Sequence, residues 1–427
     1  MGNPNHTKLQ GFPEAKPIQT HKDNWFAWDT MANRLPKNIR NICTLHNQDF
    51  SPLVLDRLTQ LADQISTNQP IAPLPKLAWD YDRWEAEAEP FLGKGWHQVD
   101  WFFAETYAFR LVLEATDYFS NGIDPFSEGK RRELESGSPF FPIKRHLEFV
   151  QSLTQNVLQD SLPTGNHEKS GNPETMVALL AEAIHTCMWG NKADLSFSAG
   201  GDLDHSQGDR DLLLVNHEQE AAALLINNAA EVHIIMDNSG AELGGDLVLA
   251  GTILDTTESR VVLRPKLYPT YVSDTIAKDI FIFLQKAEYH PDEAVSAWAR
   301  SIRRHMDQGR LVIAPDDFWC RTRFMADADQ RIKDSFGDAG MVVVKGDFNY
   351  RRFMRDTIWP VDVTATEALA LSASNPLGKL SMLFLRTMKS DCLAGIDGKL
   401  VSKLDSAEPG WRIQGKRGLI QLVRAQQ

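Results

Sequence analysis

The sequence predicts an α/β protein: an all-helical N-terminal part followed by an α/β/α three-layer part built on a mostly parallel sheet. Three observations carry this reading. Up to about residue 170, apolar side chains recur at helical spacing, and no convincing strand precedes residue 190. From residue 230, short and nearly all-apolar runs alternate with amphipathic stretches, as expected of strands covered on both faces. Polar and charged residues crowd in where each run stops.

In chain order, DRLTQLADQIS (56–66), WFFAETYAFRLVLEATDYF (101–119) and KRHLEFVQSLTQNVLQD (144–160) read as helices, separated by loops that Pro70, Pro73, Pro75 and SGSPFFPIK (136–144) mark. The Gly-, Pro- and polar-rich stretch SLPTGNHEKSGNPE (161–174) is the domain boundary, giving units of residues 1–170 and 171–427. One more helix, TMVALLAEAIHTCMWG (175–190), follows before any strand. AGGDLDHSQGDRD (199–211) is a solvated acidic loop whose spacing is not that of an EF-hand. The strand runs are VHIIM, RVVLRP, LVIAP, MVVVK, LSMLFLR and LIQLV. Ligands of open α/β sheets bind beyond the carboxyl ends of the strands. The residues that should converge are therefore Asp237-Asn238, Lys266 to Asp274, Asp316-Asp317, Lys345 to Arg351 and Arg386 to Asp391.

Composition removes several classes of function. The 427 residues, 42% apolar and 24% charged, suit a folded chain of two units. A net charge of -12 repels polyanions, and no basic run interleaved with aromatics offsets it, so nucleic acid is not expected as a partner. No apolar run approaches a membrane span and the opening residues lack a signal-peptide core, so a cytoplasmic protein is expected. Thr7 lies one place beyond the position a myristoylation signal needs. Cys43, Cys187, Cys320 and Cys392 are widely spaced and read as reduced thiols. The P-loop, the H-E-x-x-H helix and the G-x-S-x-G elbow are all absent from the sequence. His233, inside a strand run, reads as a packed side chain, and the tryptophans concentrated in the helical part read as packing rings. Oligomeric state is unreadable.

The chemistry lies in the strand-end residues. Taken singly, Asp237 and Asn238 are turn formers or helix caps, Glu242 is a favourable charge in a first helical turn, and lysines after strands are surface charges. Together they say more. Asp237, Asn238 and Asp274 offer two carboxylates and an amide oxygen, with no thiol or imidazole nearby, which suits a hard divalent cation. KGDFNYRR (345–352) places Lys345 at a strand end, Gly346 where backbone N–H groups can approach a ligand, and Asp347 and Asn349 as polar contacts. RTMKSD (386–391) projects Lys389 into the same mouth as a point charge for phosphate. A cation flanked by lysines is what phosphoryl transfer requires.

The segments GNKADLS (190–196), DNSGAE (237–242), YVSD (271–274), KGDFNYR (345–351) and RTMK (386–389), with FAETYAFR (103–110), resemble the damage-control phosphatase family. The nearest pattern is its acidic-residue-methyltransferase-like subfamily III, marked by an R-T-x-K motif. The resemblance runs from about residue 20 to the C-terminus. It implies a metal-dependent phosphatase of small phosphorylated metabolites, such as fructose-1-phosphate, using Mn²⁺, Mg²⁺, Ni²⁺ or Co²⁺. It also implies that Asp237, Asn238 and Asp274 are the metal ligands. By the same resemblance, Glu242, Lys345, Gly346, Asp347, Phe348, Asn349 and Lys389 are substrate contacts. Glu105, Asn191, Asp194 and Arg386 fall in its motifs without firm roles. Outside the family reading, Glu105 and Arg110 form an exposed ion pair along one helix, and Asn191 and Asp194 cap a loop or helix. Ser-Gly-Ala stands before Glu242 where relatives often carry an aromatic or apolar residue, a departure that bears on pocket shape.

The expected mechanism has the cation polarise a phosphoryl oxygen and activate water, Lys389 and Lys345 neutralise phosphoryl charge, and Asp347 orient water or a substrate hydroxyl. Asp237 as a covalent nucleophile is a variant of it. Two other classes compete: an S-adenosylmethionine-dependent carboxyl methyltransferase and a non-catalytic phosphosugar-binding protein. The first is poorly supported, because Gly240, Gly244 and Gly245 do not form the G-x-G turn that brings backbone close to a nucleoside.

Overall fold

The computed structural model describes residues 12, 14–76, 78–160, 172–190, 209–227, 230–337, 339–369 and 376–425. A two-residue strand, β1 (Lys16–Pro17), leads into α1 (Trp25–Asp29) and α2 (Leu35–Leu45), which a π turn over Thr30–Arg34 runs together. Next come α3 (Pro52–Ser66), α4 (Tyr81–Ala88), α5 (Trp101–Ala115), α6 (Tyr118–Asn121), α7 (Ser127–Ser136) and α8 (Phe141–Asp160). α3 starts with Pro52 in the first helical position, and the Ser51 hydroxyl accepts the Val54 N–H. α5 is apolar on almost every side and correspondingly buried, with Trp101, Phe102, Phe103, Tyr107, Phe109 and Val112 all inside.

The α/β region runs α9 (Pro173–Met188), β2 (Leu213–Asn216), α10 (Glu218–Ile226), β3 (Glu231–Ile235), α11 (Ala241–Thr256), β4 (Val261–Arg264), α12 (Ala277–Glu288), α13 (Glu293–Asp307) and β5 (Leu311–Ile313). It continues with α14 (Gln330–Asp334), β6 (Ala339–Lys345), α15 (Gly346–Phe353), β7 (Thr357–Ile358), α16 (Ala365–Ala368), β8 (Ser381–Thr387), α17 (Gly398–Ala407) and β9 (Gly418–Val423). All six anticipated strand runs are strands. Three short strands depart from the expectation: β1, ahead of residue 190, pairs antiparallel with β7, and β2 adds an edge strand. The long apolar segment expected at 101–119 ends as a helix at Ala115 and resumes as α6 after Asp117 takes a left-handed turn (φ 53°).

Seven strands form the main sheet in the order β2-β9-β8-β6-β3-β4-β5. Every neighbouring pair is parallel except β8 with β9, so the sheet is mostly parallel, as anticipated. From the central pair β3–β6 the chain builds outwards in opposite directions, through β4 and β5 on one side and β8 on the other. That reversal makes the carboxyl ends of β3 and β6 the switch point, where such sheets bind ligands.

Side chains alternate between the two faces. Val342, Val344, Met382 and Phe384 share a core with Trp84, Tyr107 and Phe109 of the helical region. Val343, Leu383 and Ile420 pack instead with Ile184, Leu247, Phe283 and Ile302 of α9, α11, α12 and α13. Helices therefore cover both faces, giving three layers. Among the described residues no helix is long and apolar enough to cross a membrane.

Candidate active site

Asp237 and Asn238 leave the end of β3, and Asp274 closes the loop after β4. The two loops are sewn together as a short antiparallel bridge between Asn238 and Asp274. Thr275 N–H donates to the Asp237 carbonyl (2.8 Å) and Ser239 N–H to that of Ser273 (2.6 Å). The Ser273 hydroxyl donates to Asn238 Oδ1 (2.7 Å), and Asn238 Nδ2 donates to Glu242 Oε2 (2.9 Å) and Asp237 Oδ2 (3.2 Å). Three carboxylates, Asp237, Glu242 and Asp274, are thus brought together and buried, at 6%, 5% and 2% exposure.

Burial pushes the Asp237 carboxyl well above the usual range, and repulsion from Glu242 and Asp274 adds to it. Burial also raises Asp274, against the pull of Lys266 and Lys130. Glu242 goes the other way: burial would raise it, but Lys345, Lys389 and the Asn238 amide outweigh that. Asp274 Oδ2 is buried without a hydrogen-bond partner, and Lys266 Nζ stands 3.7 Å away. A buried carboxylate oxygen that accepts no hydrogen bond and has its nearest ammonium at 3.7 Å, beside a second carboxyl held off its ordinary ionisation, would gain from a cation in direct contact. A divalent cation fits it. Among the described residues no three His, Cys, Asp or Glu side chains gather into a cage of their own, so the fit rests on two carboxylates plus the Asn238 amide.

The segments after β6 and β8 face this acidic group. Gly346 opens α15 at φ +80°, and a Cβ there would lie 1.8 Å from Asp237 Oδ2, so only glycine lets the two strand ends meet. Lys345 is fully buried; its ammonium donates to the Cys187 carbonyl (2.8 Å), pairs with Asp246 Oδ1 (2.9 Å) and reaches Glu242 Oε1 (3.4 Å). It holds Glu242 from behind, a geometry different from the direct phosphate contact the sequence suggests. Asp347 Oδ1 accepts from Arg386 Nε (2.8 Å), Lys389 N–H (3.0 Å) and the Ser390 hydroxyl (3.2 Å). Arg386, wholly buried, also donates to the carbonyls of Ser390 and Cys392 and lies over the Tyr350 ring at 4.2 Å. Asp347 and Arg386 therefore build the turn that presents Lys389. The Lys389 side chain is exposed, and its charge is among those that lower the Asp237 and Glu242 carboxyls.

Two residues of the same segment serve as braces. Phe348 stacks on Phe102 (4.7 Å), with Lys266 Nζ over its ring. Asn349 Nδ2 donates to the carbonyls of Met236 (3.0 Å) and Lys345 (2.9 Å), tying the ends of β3 and β6. Glu105 pairs with Arg351 (3.2 Å), whereas Arg110 pairs with Asp80 and Glu114, so the intrahelical pair of Glu105 with Arg110 is not formed. Asp316 and Asp317 are taken up by Arg331 and Arg83. Asn191 and Asp194 lie outside the described residues. His233 is packed as expected, accepting from Arg264 Nε (2.8 Å).

Sequence reasoning passed over Lys266 and Asp246 as individual residues. Asp246 stands four residues after Glu242, on the same face of α11, and that spacing was the available clue. The glycines of α11 serve packing: a Cβ at Gly244 would meet the Pro139 carbonyl at 2.4 Å, and one at Gly245 the α9 backbone at 3.1 Å.

A buried acidic cluster opposed by an exposed lysine at the switch point of a mostly parallel sheet defines an α/β protein suited to holding a cation and an anion side by side. The family model of the damage-control phosphatase ARMT1-like domain matches residues 28–404, and the chain belongs to that family, a family of phosphatases. It is 26% identical to damage-control phosphatase ARMT1 of Xenopus laevis, over 93% of this chain and 96% of the relative. The corresponding protein of Rattus norvegicus is 27% identical, over 93% and 95%, and that of Homo sapiens 25%, over 93% and 96%. A crystal structure of a DUF89 family protein from Pyrococcus horikoshii aligns at TM-score 0.46 and 13% identity, covering 96% of this chain and 100% of that one, an overlap too distant to inform the site.

Proposed function

We propose that the protein is a metal-dependent phosphatase of small phosphorylated metabolites, with sugar phosphates such as fructose-1-phosphate as its substrate class, and that it belongs to the R-T-x-K subfamily. The observation that carries this reading is the buried Asp274 Oδ2, which accepts no hydrogen bond and belongs to the same cluster as Asp237, whose carboxyl Lys389 pulls down. Asp237, Asn238 and Asp274 would hold the divalent cation, one of Mn²⁺, Mg²⁺, Co²⁺ or Ni²⁺. When bound, the cation supplies Lewis-acid neutralisation of charge on a phosphoryl oxygen. Lys389 neutralises the other phosphoryl oxygens, and its turn is held in place by Asp347 and Arg386. Glu242, fixed between Asn238 and Lys345, is aimed at a substrate hydroxyl. Both the helical unit (residues 1–170) and the α/β/α unit (171–427) contribute to the site in this reading, and its setting is the cytoplasm.

The test is phosphate release from a panel of sugar phosphates, with each of the four cations and with EDTA. Activity should disappear with EDTA and return with one or more of the cations. Asp237→Ala and Lys389→Met should each abolish it; full activity in either variant ends the proposal.

A further inference from the structure

α7 belongs to the helical region, yet two of its side chains reach the two loops that carry the proposed ligands. Lys130 and Glu133 lie three residues apart, on one face of the helix. Lys130 is buried, and its ammonium donates to the Asp274 carbonyl (2.8 Å), Asp279 Oδ2 (2.8 Å) and Asp124 Oδ2 (3.1 Å). Each of its three protons therefore has an acceptor. Asp279 in turn accepts the Ile276 N–H (3.0 Å), which fixes the start of α12 immediately after the Asp274 loop. One turn along α7, Glu133 Oε1 accepts the Ala241 N–H (3.2 Å) at the start of α11, where backbone dipoles favour a carboxylate. Gly240 makes that approach feasible: its φ is +68°, and a Cβ would fall 1.8 Å from Glu133 Oε1.

We propose that α7 is a positioning helix for the cation site. Lys130 fixes the Asp274 loop, Glu133 fixes the Asp237–Glu242 loop, and the rigid helix between them sets the separation of the two ligand carboxylates. Both act through the backbone of the loops, as outer partners of metal ligands do. The inference rests on the cation site proposed above and extends it to residues on a different part of the chain.

The experiment is calorimetric titration of Mn²⁺ into metal-free protein, with thermal midpoints recorded alongside. Lys130→Met and Glu133→Ala should each weaken Mn²⁺ binding about 10- to 100-fold. Arg131→Ala removes a side chain that pairs with Glu128 and Glu135 on the exposed side of the same helix, and it should leave the affinity unchanged. If Lys130→Met does not fold, the half-buried Glu133 decides the matter alone. Wild-type affinity in Glu133→Ala, even with a lowered midpoint, overturns the inference while leaving the cation site standing. The same titration is run with Mg²⁺, Co²⁺ and Ni²⁺, and a wild-type protein that takes up none of the four cations overturns both.

Discussion

Gly346→Ala probes the joint between the acidic and basic halves with a single methyl group. Two costs follow from the geometry. The first is conformational: an alanine held at φ +80° costs about 1–2 kcal/mol, because its Cβ crowds its own carbonyl. The second is displacement. The new Cβ would sit 1.8 Å from Asp237 Oδ2 and 2.4 Å from its Cγ, whereas ordinary contact begins at 3.4 Å. Either the carboxylate or the start of α15 must therefore retreat by roughly 1.5 Å, and misplacing a group by about 1 Å can cost on the order of 100-fold in rate. The expected outcome is a drop in kcat/KM of about 100-fold, weaker Mn²⁺ binding, and a loss of stability of about 2 kcal/mol. Phosphate release at saturating cation, calorimetry and urea denaturation measure the three quantities. If the variant loses stability yet binds Mn²⁺ as tightly as wild type and releases phosphate at an unchanged rate, the close approach of Gly346 to Asp237 does not set the geometry of the site, and the reasoning is refuted.

Two further outcomes can be measured independently. Asp246 is pushed up to about 6 by burial, with Lys345 opposing and Glu242 adding. Its folded carboxyl thus stands above the ordinary 3.8, so its contribution to stability is fully present below about pH 4 and is lost as pH rises through about 6. Relative to wild type, Asp246→Asn should gain about 3 kcal/mol between pH 4 and pH 8, and a stability difference that stays flat across that range contradicts the assignment. Asp347→Ala leaves the buried Arg386 guanidinium without its carboxylate, which should cost about 3–5 kcal/mol in denaturant unfolding and raise KM through a loosened Lys389; an unchanged KM would show that the turn does not depend on Asp347.

What could be read from the sequence follows burial. β3, β6 and β8 are covered on both faces and so appear as solid apolar runs, and the strand-end rule then brings Asp237, Asn238 and Asp274 to one place. β2 is only half buried at the sheet edge, and LLVN gives too short a run to stand out. Lys345 closes β6, and within the protein its ammonium meets the Cys187 carbonyl, Asp246 and Glu242. A lysine after a strand looks like an anion contact until α11 is known to set Glu242 and Asp246 beneath it. Arg386, Phe348 and Asn349 follow strand ends, and their buried bonds to the protein's own backbone and rings could not be seen in a linear pattern. Lys130 lies 144 residues from the carbonyl it meets, and nothing local in its neighbourhood announces that contact.

The core that Trp84, Tyr107 and Phe109 share with Val342, Val344 and Phe384 bears on how the chain can be handled. A recombinant fragment starting near residue 171 would keep Tyr350 and Phe353 over Phe384 but would bare the apolar surface around Phe348 and Tyr271, on which Phe102 and Phe109 pack, and would self-associate. Shortening this protein from its front end is therefore a route to inclusion bodies, and tags or fusions are better joined at the outer ends of the intact polypeptide.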